Sequence, residues 1–344
     1  LGTVLDGRLE GDLILAGGGD PTLDTDRLGD LAAALAATGL RKVTGRFIAF
    51  AGALPGRISI APDQPDYVGY DPAISGLNLN FNRVYFEWKQ QGEGWSTGMD
   101  ARGARFLPKV SMADVSIARR DLPIFAYAAA EGRDSWSVAA SALGREGSRW
   151  LPVRHPAEYT AEVFQTLCAA HGIRLQPAEI VQSLPTAGVE IVQDQSAPLP
   201  DVLREMLKYS TNMTAEIVGL TASGAASQQW SAAAMREWAR VRFGFTGWLV
   251  DHSGLGAENR VTAGDLVRMM LAAEHNPAAR RLMGLLHETG LADTNGKPRK
   301  TDPVRIFAKT GTLNFVSALS GYVAPPKGRK LAFAILTADV ARRE

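Results

Sequence analysis

The sequence predicts an α+β protein with more than one domain, and three observations lead there. Strand-like alternation fills the first part of the chain, amphipathic helices dominate from Pro156 onward, and three consecutive apolar strands lie near the end. The 344 residues exceed the roughly 100–200 typical of one domain, which leaves room for two or three cores. LEGDLILA and RFIAFAG read as strands on either side of a helix in TDRLGDLAAALAATG. In that helix Leu28, Leu31, Ala32 and Leu35 share one face, Asp24 and Asp26 suit its start, and Gly39 supplies its stop. GLNLNFNRVYFEWKQQGEGWSTGMD alternates Leu77, Leu79 and Phe81, then Val84, Phe86 and Trp88, the period of a strand running into a glycine turn. PAEYTAEVFQTLCAAHG is predicted helical, with Pro156 at its first position, Cys168 on its apolar stripe and Gly172 at its end. SAPLPDVLREMLKYS places Leu199, Val202, Leu203, Met206 and Leu207 on one stripe, and Thr262 with Asp265 resembles a capping box that opens AGDLVRMMLAAEHN. VRIFAKTG, VSALSGYV and KLAFAILTA are then three successive strands, with turns expected at Gly311 and at PPKG.

Composition narrows the function classes. With 46% hydrophobic and 21% charged residues the chain is ordinary globular material, and a formal charge of +1 argues against a nucleic-acid partner. The tryptophans are scattered and offer no stacking platform for single strands. No apolar run reaches the ~18 residues of a transmembrane segment. Cys168 is the single cysteine, so no disulfide framework or cysteine-rich zinc site is available. The five histidines show no metal-ligand spacing, since His287-Glu288 has no second histidine four residues on. AGGGDPTL lacks both the Gly-Lys-Thr ending of a phosphate loop and the spacing of a dinucleotide fingerprint, and reads as a turn.

Two short motifs carry chemistry. Lys309, Thr310 and Gly311 place an ammonium and a hydroxyl on a strand beside a glycine that lets a ligand backbone lie close, an arrangement suited to a carboxylate at the end of an extended peptide. Alone, the motif reads as a solvated turn. In YSTNMTAE, Ser210, Thr211 and Asn212 follow one amphipathic helix and precede an apolar one; alone, they read as a helix cap. Together, Ser-x-Asn followed by Lys-Thr-Gly are the second and third signatures of the penicillin-recognising serine enzymes. The wider wording, LKYSTNMTAEIVGL, DHSGLGAENRVTAGDL, FAKTGTLNFVSALSGYV and LEGDLILAGGGDPTLD, resembles the D-alanyl-D-alanine carboxypeptidase/endopeptidase family related to penicillin-binding protein 4 (serine peptidase family S13) over nearly the whole chain.

The resemblance implies a penicillin-binding, β-lactamase-like transpeptidase domain, an antiparallel sheet with helices, carrying a large strand-rich insertion. It implies a periplasmic serine peptidase that cuts peptidoglycan stem peptides through an acyl-enzyme, is acylated by β-lactam antibiotics, and uses no metal or cofactor. Within it Ser210 relays a proton toward the leaving amine, Asn212 bonds the substrate backbone, and Lys309 polarises Ser210. Thr310 and Thr312 take the terminal carboxylate beside Gly311, and the Thr312 amide forms half of an oxyanion hole. Asn80 is the expected equivalent of an acidic residue that meets the stem peptide's amine. His252 stands where the family usually has glycine and is expected to be structural.

One departure is large. No serine precedes any of the nine lysines by three positions, so the family's Ser-x-x-Lys nucleophile motif is absent from these residues. The expectation is that this motif lies in a missing upstream segment, with 1–185 the inserted region, in two subdomains, and 186–344 most of the transpeptidase domain. A nucleophile-less homologue that binds peptidoglycan peptides, and a β-lactamase or esterase on the same domain, are the alternatives.

Overall fold

The computed structural model describes residues 2–130, 132–184, 188–277, 279, 281–290, 297 and 303–343. The chain divides into two compact units, Leu1–Ser196 with Glu216–Thr221, and Ala197–Ala215 with Ala222–Glu344. The boundary expected between 185 and 186 falls outside the described residues.

The first unit is built on three-stranded sheets. Leu13–Ala16 and Ala178–Val181 flank Phe47–Phe50, all parallel. Parallel neighbours need crossovers, and helix α1 (Thr25–Ala37) runs between the first two of these strands while α2 (Pro156–Ala170) precedes the third. The face predicted for α1 is the buried one: Leu28, Ala32 and Leu35 join Phe47, Phe164 and Cys168 in the core. Asp24 caps α1 by accepting from the Arg27 amide at 2.8 Å. The Cys168 thiol on α2 is pushed up to about 12 by burial and is an inert core group. A second sheet sets Arg83–Gln91 between Gly94–Asp100 and Glu146–Pro152, all antiparallel.

The strand expected from Gly76 begins only at Arg83, because Asn80, Phe81 and Asn82 turn left-handed with φ of +52°, +56° and +50°. Residues 71–80 are all buried, so their backbone groups must be satisfied from within. The asparagines do this. Asn82 accepts from the Leu79 amide at 3.1 Å and donates to the Ala73 carbonyl at 2.8 Å and to Asn78 Oδ1 at 2.7 Å. The Leu/Asn alternation imitates a strand, whereas side-chain bonding to the backbone makes it a turn.

In the second unit come helices α3 (Leu199–Tyr209), α4 (Asn212–Ser223, whose middle groups with the first unit), α5 (Gln228–Phe243) and α6 (Ala263–His275). An antiparallel sheet follows in the order His287–Thr289, Arg305–Leu313, Val316–Ala324, Leu331–Ala338. The turn expected at Gly311 lies further on. Leu313 pairs with Val316, leaving Asn314 and Phe315 as a two-residue loop with Phe315 at φ +61°, and Gly311 stays in the strand opposite Ala318. The β-branched Thr310 and Thr312 on either side of the glycine favour the strand. Buried Tyr322 ties the sheet to α6 by donating to the Met270 carbonyl at 2.8 Å.

The start of α6 is the expected capping box. Thr262 Oγ1 accepts from the Asp265 amide at 3.0 Å, and Asp265 accepts from the Thr262 amide at 3.2 Å. Asp265 also accepts from the amide and hydroxyl of Thr246, both at 3.1 Å, fixing the chain after α5 to α6. Burial alone would raise its carboxyl, but the bonds from Thr262 and Thr246 outweigh it and hold the group at about 2. A carboxyl depressed from an unfolded value of about 3.9 stabilises the fold above that pH and loses the effect as pH falls through about 2. Asp265→Asn should therefore be less stable than the parent at pH 6, with the gap closing towards pH 2, in denaturant titrations. A gap that stays constant with pH would show that another group sets this limb.

Candidate active site

Ser210 ends α3 and precedes α4 with φ +55° and ψ +45°, the left-handed conformation that glycine usually takes at a helix end. A serine there costs about 1 kcal/mol and breaks the helical run, which brings its hydroxyl out of both helices. Lys309 reaches it from the strand Arg305–Leu313, its Nζ donating to Ser210 Oγ and to the Thr310 carbonyl. The two motifs, 99 residues apart in sequence, thus meet within the second unit. Burial pushes the Lys309 ammonium below the ordinary lysine value. Asn212 opens α4, two residues beyond Ser210.

The strand presents its motif along an open edge. Pairing with His287–Thr289 stops at Ala308, so the side of Lys309–Leu313 away from Val316–Ala324 carries no ladder among the described residues. Lys309 and Gly311 share one side of the pleat, while Thr310 and Thr312 alternate with them and are exposed. This free stretch of backbone was not legible in the sequence, because it depends on where a three-residue neighbour strand ends. It can accept an extended peptide by strand addition. Among the described residues no group of three or more His, Cys, Asp and Glu could hold a metal ion.

Asn80 belongs to the first unit, is 8% exposed, accepts from the Thr25 amide at 3.1 Å and donates to Thr25 Oγ1 at 2.8 Å. Its amide holds the start of α1 to the left-handed turn. His252 sits in a packed line, its Nε2 2.7 Å from Ser231 Oγ, which is 2.7 Å from Ser223 Oγ, with Met235 Sδ 3.1 Å from its Nδ1. Burial lowers its imidazole pKa, partly offset by Asp251. Asp251 itself closes the following loop by accepting from the Gly254 and Gly256 amides at 2.7 and 2.6 Å.

The profile of the D-Ala-D-Ala carboxypeptidase 3 (S13) family matches residues 1–344. The chain belongs to this family. Carboxypeptidase DacB of Mycolicibacterium smegmatis is 33% identical over a stretch that covers 56% of this chain and 45% of that protein. The D-alanyl-D-alanine carboxypeptidase of an Actinomadura species is 28% identical over 94% of this chain and 65% of its own length. The chain therefore spans less than two thirds of each of these relatives. Penicillin binding protein 4 (dacB) from Haemophilus influenzae superposes with a TM-score of 0.77 at 22% identity, over 98% of this chain and 78% of that one. The mixed fold is thus the penicillin-binding, β-lactamase-like one that the motifs implied.

Two glycines of the sheet separate fold from site. A Cβ at Gly321 would fall 2.0 Å from the Phe307 carbonyl oxygen, whereas one at Gly311 would only touch Ala318 Cβ at 3.5 Å. Gly321→Ala should destabilise by more than about 2 kcal/mol. Gly311→Ala should leave stability unchanged or raised by up to about 1 kcal/mol, since glycine weakens a strand. Urea unfolding of both variants checks this; a large loss at Gly311 would assign that glycine to the fold and not to a ligand.

Proposed function

We propose that this chain carries the binding and proton-relay part of a serine-type D-Ala-D-Ala carboxypeptidase/endopeptidase acting on peptidoglycan stem peptides. The observation that carries the reading is the hydrogen bond from Lys309 to Ser210, which joins the second and third motifs of the penicillin-recognising enzymes. The substrate lies extended along the open edge of Lys309–Leu313, with Gly311 admitting its backbone and Asn212 bonding it from the opposite side. Lys309, Thr310 and Thr312 receive the terminal carboxylate.

The nucleophile in this reading is the serine of a Ser-x-x-Lys segment that these 344 residues do not contain. Its oxygen bonds to the carbonyl carbon of the scissile amide as its proton passes to the lysine of the same segment, and the amide N–H of Thr312 stabilises the oxyanion. As the C–N bond breaks, Ser210 gives its proton to the departing D-alanine amine and is re-protonated from that lysine, so that the nucleophile's proton ends on the leaving group. The neighbouring Lys309 ammonium, short of water, makes the Ser210 hydroxyl a better donor. Water then hydrolyses the acyl-enzyme. β-Lactams acylate the same serine, and a Haemophilus influenzae relative of the same fold has been solved in complex with one. The substrate places the protein in the periplasm; among the described residues no helix is long and apolar enough to cross a membrane.

The test is release of D-alanine from a stem pentapeptide, and mass-detected acylation by a fluorescent penicillin, on this chain and on a form extended upstream to a Ser-x-x-Lys segment. The extended form should do both, and the 344-residue chain should form no adduct. An adduct mapped to one of the chain's own serines would overturn the assigned roles. In the extended form Ser210→Ala and Lys309→Ala should each slow acylation by about a hundredfold or more, and the double variant should be little slower than the worse single one. Losses that multiply would show two independent contributions and not one relay.

A further inference from the structure

Rings and guanidinium groups alternate beside the central strand Arg83–Gln91 of the first unit. Arg102 lies over Tyr85, 3.8 Å from the ring centroid, and Tyr85 meets Trp150 edge-on at 5.1 Å. Arg83 then lies 5.5 Å from the Trp150 centroid and 5.3 Å from that of Phe81. Register places Tyr85 opposite Trp150 and Arg83 opposite Pro152, so these side chains share one face, and Val84 and Phe86 point into the core on the other.

The two ends of this ladder differ in charge balance. Arg102 is neutralised, its Nη2 lying 2.7 Å from Asp100 and 3.1 Å from Glu87, and the bond to Asp100 chiefly raises its pKa. Arg83 has no such partner among the described residues: its Nε is closed to solvent without an acceptor, and neither Nη bonds to the protein. Burial lowers its pKa, and among the described residues the Tyr159 phenol offsets this. Burial raises that phenol in turn, so it stays neutral and supplies no counter-charge. A half-buried guanidinium without a carboxylate is unfavourable unless something else completes it.

The surroundings hold this unbalanced group in place. Phe81, one wall of the slot, sits at φ +56° in the left-handed turn, a conformation that costs an aromatic residue about 1 kcal/mol and that the buried asparagines enforce. Gly69 leaves room for the arginine stem, since a Cβ there would come within 3.4 Å of Arg83 Cδ and 3.3 Å of the Trp150 carbonyl oxygen.

We propose that Arg83 anchors an anion subsite on the first unit, in which its Nη fork grips a peptide carboxylate between the Phe81 and Trp150 rings. A planar carboxylate suits a fork set between rings, and one unneutralised guanidinium matches one negative charge, whereas a phosphate would call for further donors. The proposal is independent of the Ser210–Lys309 chemistry, and its test removes the other cation expected to take a carboxylate.

The Arg83 Nε–H, sheltered from solvent, should give a distinct resonance in ¹H–¹⁵N spectra of the full chain. In the parent and in Lys309→Ala, it is followed on titration with N-acetyl-D-alanine, with the neutral N-acetyl-D-alaninamide, and with inorganic phosphate. The carboxylate should shift this resonance saturably and quench Trp150 fluorescence over the same range, and the amide should do neither. Arg83→Met should bind the carboxylate at least about tenfold more weakly, and Arg83→Lys should recover part of the loss. An Arg83 resonance that ignores the carboxylate, or follows the amide equally, overturns the subsite. A response to phosphate alone overturns the choice of ligand.

Discussion

A lysine ammonium donating to a serine hydroxyl, from opposite ends of the second unit's sequence, is the contact on which the arrangement of the site depends. It requires a break between α3 and α4 placed so that Ser210 leaves both helices, and a strand that carries Lys309 past that break. The left-handed conformation of Ser210 is the local cost of the first requirement. The second is met by a sheet fastened to α6 through Tyr322, while α6 is itself fixed at its start by Asp265. Stability elements some distance along the chain thus hold two side chains in register.

The same contact explains why Lys309 differs from a surface lysine. Its ammonium is partly shielded, its partners are a hydroxyl and a carbonyl, and no carboxylate pairs with it among the described residues. A lysine so placed is electropositive without being neutralised, which suits it both to hold a substrate carboxylate and to polarise a neighbouring hydroxyl. Arg83 in the first unit shows a related condition in another chemistry, a guanidinium held between rings without a counter-charge.

Much of this was legible in the sequence, for reasons that can be named. The buried faces of α1 and α2 follow a 3.6-residue period, the Thr262/Asp265 box announces α6, and the two motifs fix the family and the pair Ser210 and Lys309. What escaped depends on tertiary context. GLNLNFN has strand periodicity, yet a wholly buried backbone recruits Asn78 and Asn82 as internal partners and turns left-handed. Gly311 looked like a turn residue, yet the hairpin closes at Asn314–Phe315, and the glycine stays in the strand opposite Ala318. Asn80, which the resemblance matches to an acidic residue of the family, lies in the same turn and bonds to Thr25.

The most direct measurement of the central contact is the titration of Lys309 itself. With ¹³C- and ¹⁵N-labelled lysine, the Lys309 side-chain resonances can be followed against pH in the parent and in Ser210→Ala. The contact predicts a midpoint clearly below the ordinary lysine value of about 10.4, because the ammonium is short of water, and a displaced midpoint when the Ser210 hydroxyl is removed. A midpoint at the ordinary value, unchanged by Ser210→Ala, would mean that the ammonium stands free in solvent and that the two motifs do not act together.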